Sequence, residues 1–176
     1  MCGLCGFVDF QRRPVNPDLS RRMLALIAHR GPDGLGSMVR QPVADQRAPS
    51  VFLGHTRLRV IDLSEAADQP IPNEDETIWV SLNGEIYNFI ELREELQAKG
   101  HRFRSRSDTE VIVHAYEEFG DDFIRRLDGM FAVSLWDQNR GRLVLARDRA
   151  GKKPLFYSHD HQRLTYGSEM KALLAC

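Results

Sequence analysis

Cysteine is scarce in this chain. Three among 176 residues is a low and odd count, which argues against a disulfide framework and agrees with a reducing compartment. Excess charge is missing too: 24 Lys and Arg against 25 Asp and Glu leave a net −1, so nothing electrostatic favours nucleic acid, an acidic membrane surface or a strongly charged partner. Small, locally recognised substrates are favoured instead. No apolar run reaches membrane length, and the opening has no charged start followed by a long apolar stretch, so neither a span nor a secretory signal is visible. A cytoplasmic location is the default. Internal repeats, low-complexity runs and interdomain linkers are also absent. What is present is a 42% hydrophobic and 28% charged composition, that of a soluble globular protein, in a length that suits one domain with a core of its own.

The first six residues, Met-Cys-Gly-Leu-Cys-Gly, organise the reading. Removal of Met1 turns the Cys2 nitrogen into a free amine beside a thiol, which places a nucleophile and a candidate base on one residue. A thiol is a weak nucleophile until deprotonated, and an α-amino group with a pKa of about 7.7–8.0 exchanges its proton readily near neutrality. N-terminal nucleophile enzymes use this pairing, although six residues alone are a short signal.

Residues 3–10 read as a glycine-softened strand that plants Cys2 at its start. Asn16-Pro17-Asp18 is a helix-start signal, and Leu19, Met23, Leu26 and Ile27 have the spacing of a buried helical stripe. The turn His29-Arg30-Gly31-Pro32-Asp33-Gly34 ends this helix, a strand follows around 37–41, and 42–50 reads as an exposed loop. Val51–Leu58 is extended and 64–76 irregular. Ile78, Val80 and Leu82 alternate with Thr77, Trp79 and Ser81 in a strand that runs into Asn83-Gly84-Glu85. Phe89, Leu92 and Leu96 form a helical stripe closed by Gly100. Ser107-Asp108-Thr109-Glu110 matches a capping box, with Ser107 as N-cap, ahead of Ile112, Ala115, Tyr116 and Phe119. A short helix is expected over 121–127, then strands at Met130–Trp136, Arg142–Ala146, Leu155–Tyr157 and Arg163–Gly167, and a short helical end around Glu169–Leu174. Helices between two sets of strands predict an α+β fold.

Several stretches carry a resemblance in their order and spacing: Cys2-Gly3, His29-Arg30-Gly31-Pro32-Asp33, His55-Thr56-Arg57-Leu58 with Ile61-Asp62, Asn83-Gly84-Glu85-Ile86-Tyr87-Asn88, Ser107-Asp108-Thr109-Glu110, the run from Arg147-Asp148 to Phe156-Tyr157, and Ser168-Glu169-Met170-Lys171-Ala172-Leu173. Together they resemble the class II glutamine amidotransferase domain of glutamine-hydrolysing asparagine synthetases, over nearly the whole chain. The resemblance implies a four-layer αββα sandwich of two antiparallel sheets, the N-terminal nucleophile hydrolase fold, with residues 1–176 as a single type-2 amidotransferase domain. It implies hydrolysis of L-glutamine to L-glutamate and ammonia through a thioester on Cys2, with Asn83 and Gly84 as oxyanion donors. Glutamine is a zwitterion, so specificity needs a cation for its carboxylate and an anion for its ammonium. Arg57 suits the first role and Asp108 the second, with Glu85 beside it. Leu58, Arg59, Val60 and Ile61 resemble the segment that lines the glutamine pocket through backbone and apolar contacts, the Arg59 side chain facing solvent.

Each residue also has a plainer reading. Asn83-Gly84 could be a turn, Arg57 a surface ion-pair residue and Asp108 a helix-start residue. Cys2-Gly3-Leu4-Cys5 spells C-x-x-C, but it opens the chain ahead of a strand, unlike a thioredoxin-type pair. A zinc site would need ligands beyond Cys176, with His159 and His161 alone in a turn. Cys5 departs from the family pattern and suits packing. Neither Gly31–Gly36 nor Gly151-Lys152-Lys153-Pro154 has the Gly-Lys-Ser/Thr ending of a phosphate loop. The expectation is no metal and no cofactor in this domain. ATP and Mg would belong to a synthetase domain, whose Ser-Gly-Gly-x-Asp-Ser loop does not occur in the chain. The chain is therefore expected to be either the front of a longer enzyme or a free-standing glutaminase serving a separate synthetase subunit, and a homodimer is compatible with it. The competing expectation is an idle glutamine-binding or regulatory module of the same fold.

Overall fold

The computed structural model describes residues 1–43 and 48–176. Expectations for 44–47 lie outside the described residues. In chain order the elements are β1 (Gly3–Asp9), α1 (Pro17–Ile27), β2 (Gly34–Arg40), β3 (Ser50–Arg57), β4 (Ile71–Pro72), β5 (Ile78–Ile86), α2 (Phe89–Ala98), α3 (Glu110–Phe119), α4 (Phe123–Arg126), β6 (Gly129–Asp137), β7 (Arg142–Arg147), β8 (Phe156–His159), β9 (Arg163–Gly167) and α5 (Met170–Leu173). Short 3-10 turns occupy Ala28–Arg30, Glu65–Ala67 and Gly120–Asp122. No helix among the described residues is long and apolar enough to cross a membrane.

The strands form two antiparallel sheets, one in the order β2-β3-β1-β9-β8 and the other β4-β5-β6-β7. Side-chain alternation along each strand sorts the layers. Cys5 and Phe7 of β1 and Phe52 of β3 pack with Leu19, Met23, Leu24 and Ile27 of α1 and Ala172 of α5. On the opposite face, Leu4, Val8, Val51 and Leu53 meet Ala132 and Trp136 of β6 between the sheets. Ile78, Val80 and Leu82 of β5 and Phe131, Val133 and Leu135 of β6 point away from that interface into a third core with α2, α3 and Phe123 of α4. Helix, sheet, sheet and helix thus stack as an α+β, αββα sandwich.

Local expectations hold with three corrections. The Asn16 side chain caps α1 by accepting from the Asp18 and Leu19 amides, and Gly100, at φ +102°, follows α2 in the left-handed region that a glycine tolerates. In α1, however, Leu24 takes the buried place predicted for Leu26, because the apolar stripe must fit both β1 and α5. The capping box is also not made. Glu110 reaches back to the amides of Arg104 and Ser105, while the Ser107 hydroxyl accepts from the Thr109 amide. The connection before α3 has coiled tightly enough to claim the glutamate first. Finally, β5 does not end at Leu82 but pairs with β6 through Ile86, so Asn83 and Gly84 sit inside a strand rather than at a turn.

Candidate active site

A cleft of about 110 Å³ opens where the two sheets meet, lined by Met1, Cys2, Arg57, Leu58, Val60, Ile61, Gln69, Leu82, Asn83, Gly84, Glu85, Ser107, Asp108, Thr109 and Lys153. Among the residues expected at a site, only Arg59 is outside the lining. Its amide donates to Asp33 and its side chain leans on Asp68 at 3.4 Å, so it is half-buried rather than fully turned to solvent.

Cys2 precedes β1, held from two sides. Arg30 Nε donates to the Cys2 carbonyl at 2.9 Å, and the same guanidinium bonds Glu169 at 3.1 Å. One residue beyond Gly3, the Leu4 amide donates to Ser168 Oγ at 2.9 Å and the Leu4 carbonyl accepts from the Ser168 amide. The Cys2 sulfur rests on Leu58, 3.5 Å from its amide nitrogen and 3.7 Å from its carbonyl oxygen. Burial pushes the Cys2 thiol above its usual range, although the Leu58 backbone, the terminal ammonium and Arg57 act against it. The thiol therefore needs a base before it can attack. Met1 is joined to Cys2 by a peptide bond and its side chain lies in the cleft.

Asn83 faces Cys2's side of the cleft from β5. It is 1% exposed, and neither its side-chain oxygen nor its nitrogen has a hydrogen-bond partner. An unpaired buried amide costs about 1–3 kcal/mol, so this group is held ready at the fold's expense. Gly84 follows where a side chain cannot fit: a Cβ there would stand 2.1 Å from the Met130 carbonyl oxygen of β6. Behind them, His55 Nε2 of β3 donates to the Leu82 carbonyl at 3.1 Å, linking the two sheets. Burial holds its pKa down to about 4, so it stays neutral.

The charged groups are arranged less simply than their types suggest. Arg57 is buried, donating to Asp68 Oδ1 at 2.5 Å, to the Ser64 carbonyl at 2.8 Å and to the Asp62 carbonyl. It is neither a surface ion pair nor a free cation; it also holds the 58–68 loop against the cleft. Asp108 does not cap α3. Its carboxylate accepts from the Ile86 amide at 2.9 Å, and burial pushes its pKa up. A cation arriving in the cleft would relieve that penalty. Gln69 ties the wall together, donating to Thr109 Oγ1 and accepting from the Leu82 amide.

Lys153, Gln69, Arg30 and Glu169 were not assigned roles from sequence. Three of them lie in or beside the quoted motifs, and the structure explains why those motifs recur around Cys2. Asp148 accepts the amides of Phe131, Lys152 and Lys153, folding a loop that delivers Lys153, 9% exposed, to the cleft. The turn after α1 and the segment before α5 thus fix the start of β1, and the 148–153 loop lines the cleft beside it. Among the described residues, no three His, Cys, Asp or Glu side chains within the cleft gather closely enough to share a metal ion.

A family model described as a glutamine amidotransferase domain matches residues 1–176. The chain belongs to the glutamine amidotransferase family. This amidotransferase domain is 40% identical over 178 residues to the glutamine-hydrolysing asparagine synthetase 3 of Bacillus subtilis, covering 99% of the chain and 28% of that relative. It is 42% identical over 179 residues to the glutamine-hydrolysing asparagine synthetase 3 of Arabidopsis thaliana, covering 98% and 28%. Its fold matches glutamine phosphoribosylpyrophosphate amidotransferase from B. subtilis with a TM-score of 0.78, at 20% identity over 99% of this chain and 43% of that one. The fold is therefore the N-terminal nucleophile amidotransferase sandwich, and the domain is of class II. It spans 28% of the length of both synthetases.

Proposed function

We propose that this domain is the glutaminase half of an asparagine-synthetase-like amidotransferase. With Met1 removed, the Cys2 amine takes the thiol proton as Sγ bonds to the side-chain amide carbon of L-glutamine. Asn83 Nδ2–H and the Gly84 amide receive the developing oxyanion. The carbon–nitrogen bond then breaks, the proton held by the amine leaves with ammonia, and a thioester remains. Water attacks that thioester with the amine again as base, releasing L-glutamate and regenerating the thiol. Arg57 binds the substrate carboxylate, Asp108 with Glu85 binds its ammonium, and Leu58, Val60 and Ile61 form the wall beside them, Arg59 supplying backbone only.

The observation that carries this reading is the Asn83 side chain, unpartnered at both ends in the cleft that holds Cys2. Ammonia passes to an ATP-dependent synthetase domain or subunit, where ATP and Mg would act. Purified processed protein should release glutamate and ammonia in equal amounts from glutamine, and Cys2→Ala should abolish both. Undiminished turnover in that variant would sink the proposal.

A second reading has its own observation. While Met1 is attached, the Cys2 nitrogen is a peptide amide and the Met1 side chain occupies part of the cleft. In that state the domain is a binding module without a base. Glutamine binding without turnover by protein shown to lack Met1 would favour an idle module over an unprocessed enzyme.

A further inference from the structure

None of the residues that line the cleft takes part in a second gathering of titratable groups, around the C-terminal half of α3. Glu74, in the turn before β5, His101, just after Gly100, and His114 of α3 each bring a donor atom within 4.8 Å of the other two. Glu117, one turn beyond His114 on the same helix, joins them. Its Oε2 lies 3.0 Å from His114 Nδ1 and 3.6 Å from His101 Nδ1, and Glu74 Oε2 lies 3.7 Å from His114 Nδ1. Bonds of about 2.0–2.2 Å in a tetrahedron set neighbouring donors about 3.3–3.6 Å apart, so these separations need only small side-chain movements to close on an ion.

The outer sides of the two imidazoles point the same way chemically. His114 Nε2 lies 3.8 Å from Glu110 Oε1 and makes no hydrogen bond, although the ring is buried. His101 Nε2 lies 3.5 Å from Glu118 Oε2. Each ring therefore turns one nitrogen to a shared centre and the other to an outer carboxylate, the arrangement that orients metal-bound imidazoles and raises their basicity. Imidazole and carboxylate without thiolate suit Zn²⁺ and neighbouring divalent transition ions better than Ca²⁺ or Mg²⁺, which take oxygen ligands.

We propose that Glu74, His101 and His114, with Glu117 completing the set, form a binding site for a divalent transition ion of the zinc class. The ion ties together three segments that α3 alone does not join: the turn before β5, the α2–α3 connection and α3 itself. The site is independent of the glutamine chemistry.

A proton is the ion's competitor. Burial works against charge on His114, but the nearby Glu110 carboxylate, the hydrogen bond to Glu117 and the nearby Glu74 outweigh it and hold its pKa up to about 9.

The test is a titration of the chelator-stripped full chain with Zn²⁺ against a chromophoric chelator at pH 7. One equivalent should bind, and His101→Gln and Glu74→Gln should each weaken binding at least tenfold. Both replaced side chains retain some exposure, and circular dichroism checks that each variant folds. Co²⁺ in place of Zn²⁺ should give visible ligand-field bands without a thiolate charge-transfer band. Absence of stoichiometric binding, binding unchanged in both variants, or a thiolate band implicating Cys2 and Cys5 would each overturn the proposal.

Discussion

Asn83 keeps a polar side chain inside the protein with no partner at either end, and that expense makes a prediction a structural residue would not satisfy. Asn83→Ala should lower kcat by about 10²–10³, with KM little changed, as loss of one oxyanion donor does. The same change should leave the melting temperature unaltered or raise it, since it removes an unpaired amide rather than a bond. Steady-state kinetics and thermal melts on one preparation check both halves. Cys2, Asn83, Arg57 and Asp108, singled out by residue type and by the family resemblance, line one cleft. The engagement of Arg57 by Asp68 was not legible in the sequence, since it depends on how the 58–68 loop folds back. Lys153 escaped notice for a similar reason: its place in the cleft comes from a loop built on Asp148.

Elements explain why motifs far apart in sequence serve one sulfur. The turn after α1 supplies Arg30, and the segment before α5 supplies Ser168 and Glu169, so both ends of the chain clamp the start of β1. Arg30→Met should reduce kcat by roughly tenfold or more, because a small displacement of a nucleophile is costly, while glutamine affinity changes less. Measuring the glutamine Kd alongside kcat separates the two; equal losses in both would show that Arg30 shapes the substrate pocket instead. Period-two alternation revealed β5, and apolar stripes bounded by Asn16 and by Gly100 revealed α1 and α2. The failures came where a tertiary partner outbid a local one, as when Glu110 bonded the amides of Arg104 and Ser105 instead of closing a capping box. The layer order was implied by the family resemblance, not by periodicity, because nothing local says which sheet a strand joins.

For the molecule as a whole, two ionic groups bound the pH range of stability. Burial opposes ionisation of Glu169, but hydrogen bonds from Lys171, Arg30 and His29 outweigh it and hold its pKa down to about 2. Its folded pKa is depressed, so its contribution is full above its usual 4.5 and lost as pH falls through about 2. His114 has the opposite sign. Its folded pKa is raised from 6.5 to about 9, so in metal-free protein its contribution is full below 6.5 and lost as pH rises through about 9. Thermal melts from pH 6 to 10 should show a decline that His114→Gln flattens; an equal decline in that variant would place the cause elsewhere.

The same scale holds the functional question. The domain spans 28% of its two synthetase relatives, and its own part in the proposed reaction depends on a free amine at Cys2. The most direct measurement is glutamate release per molecule, with intact mass determined on the same sample, for chains with and without Met1. The account predicts turnover in proportion to the fraction lacking Met1 and none from the fraction retaining it. Protein wholly free of Met1 that binds glutamine yet releases no glutamate would contradict it.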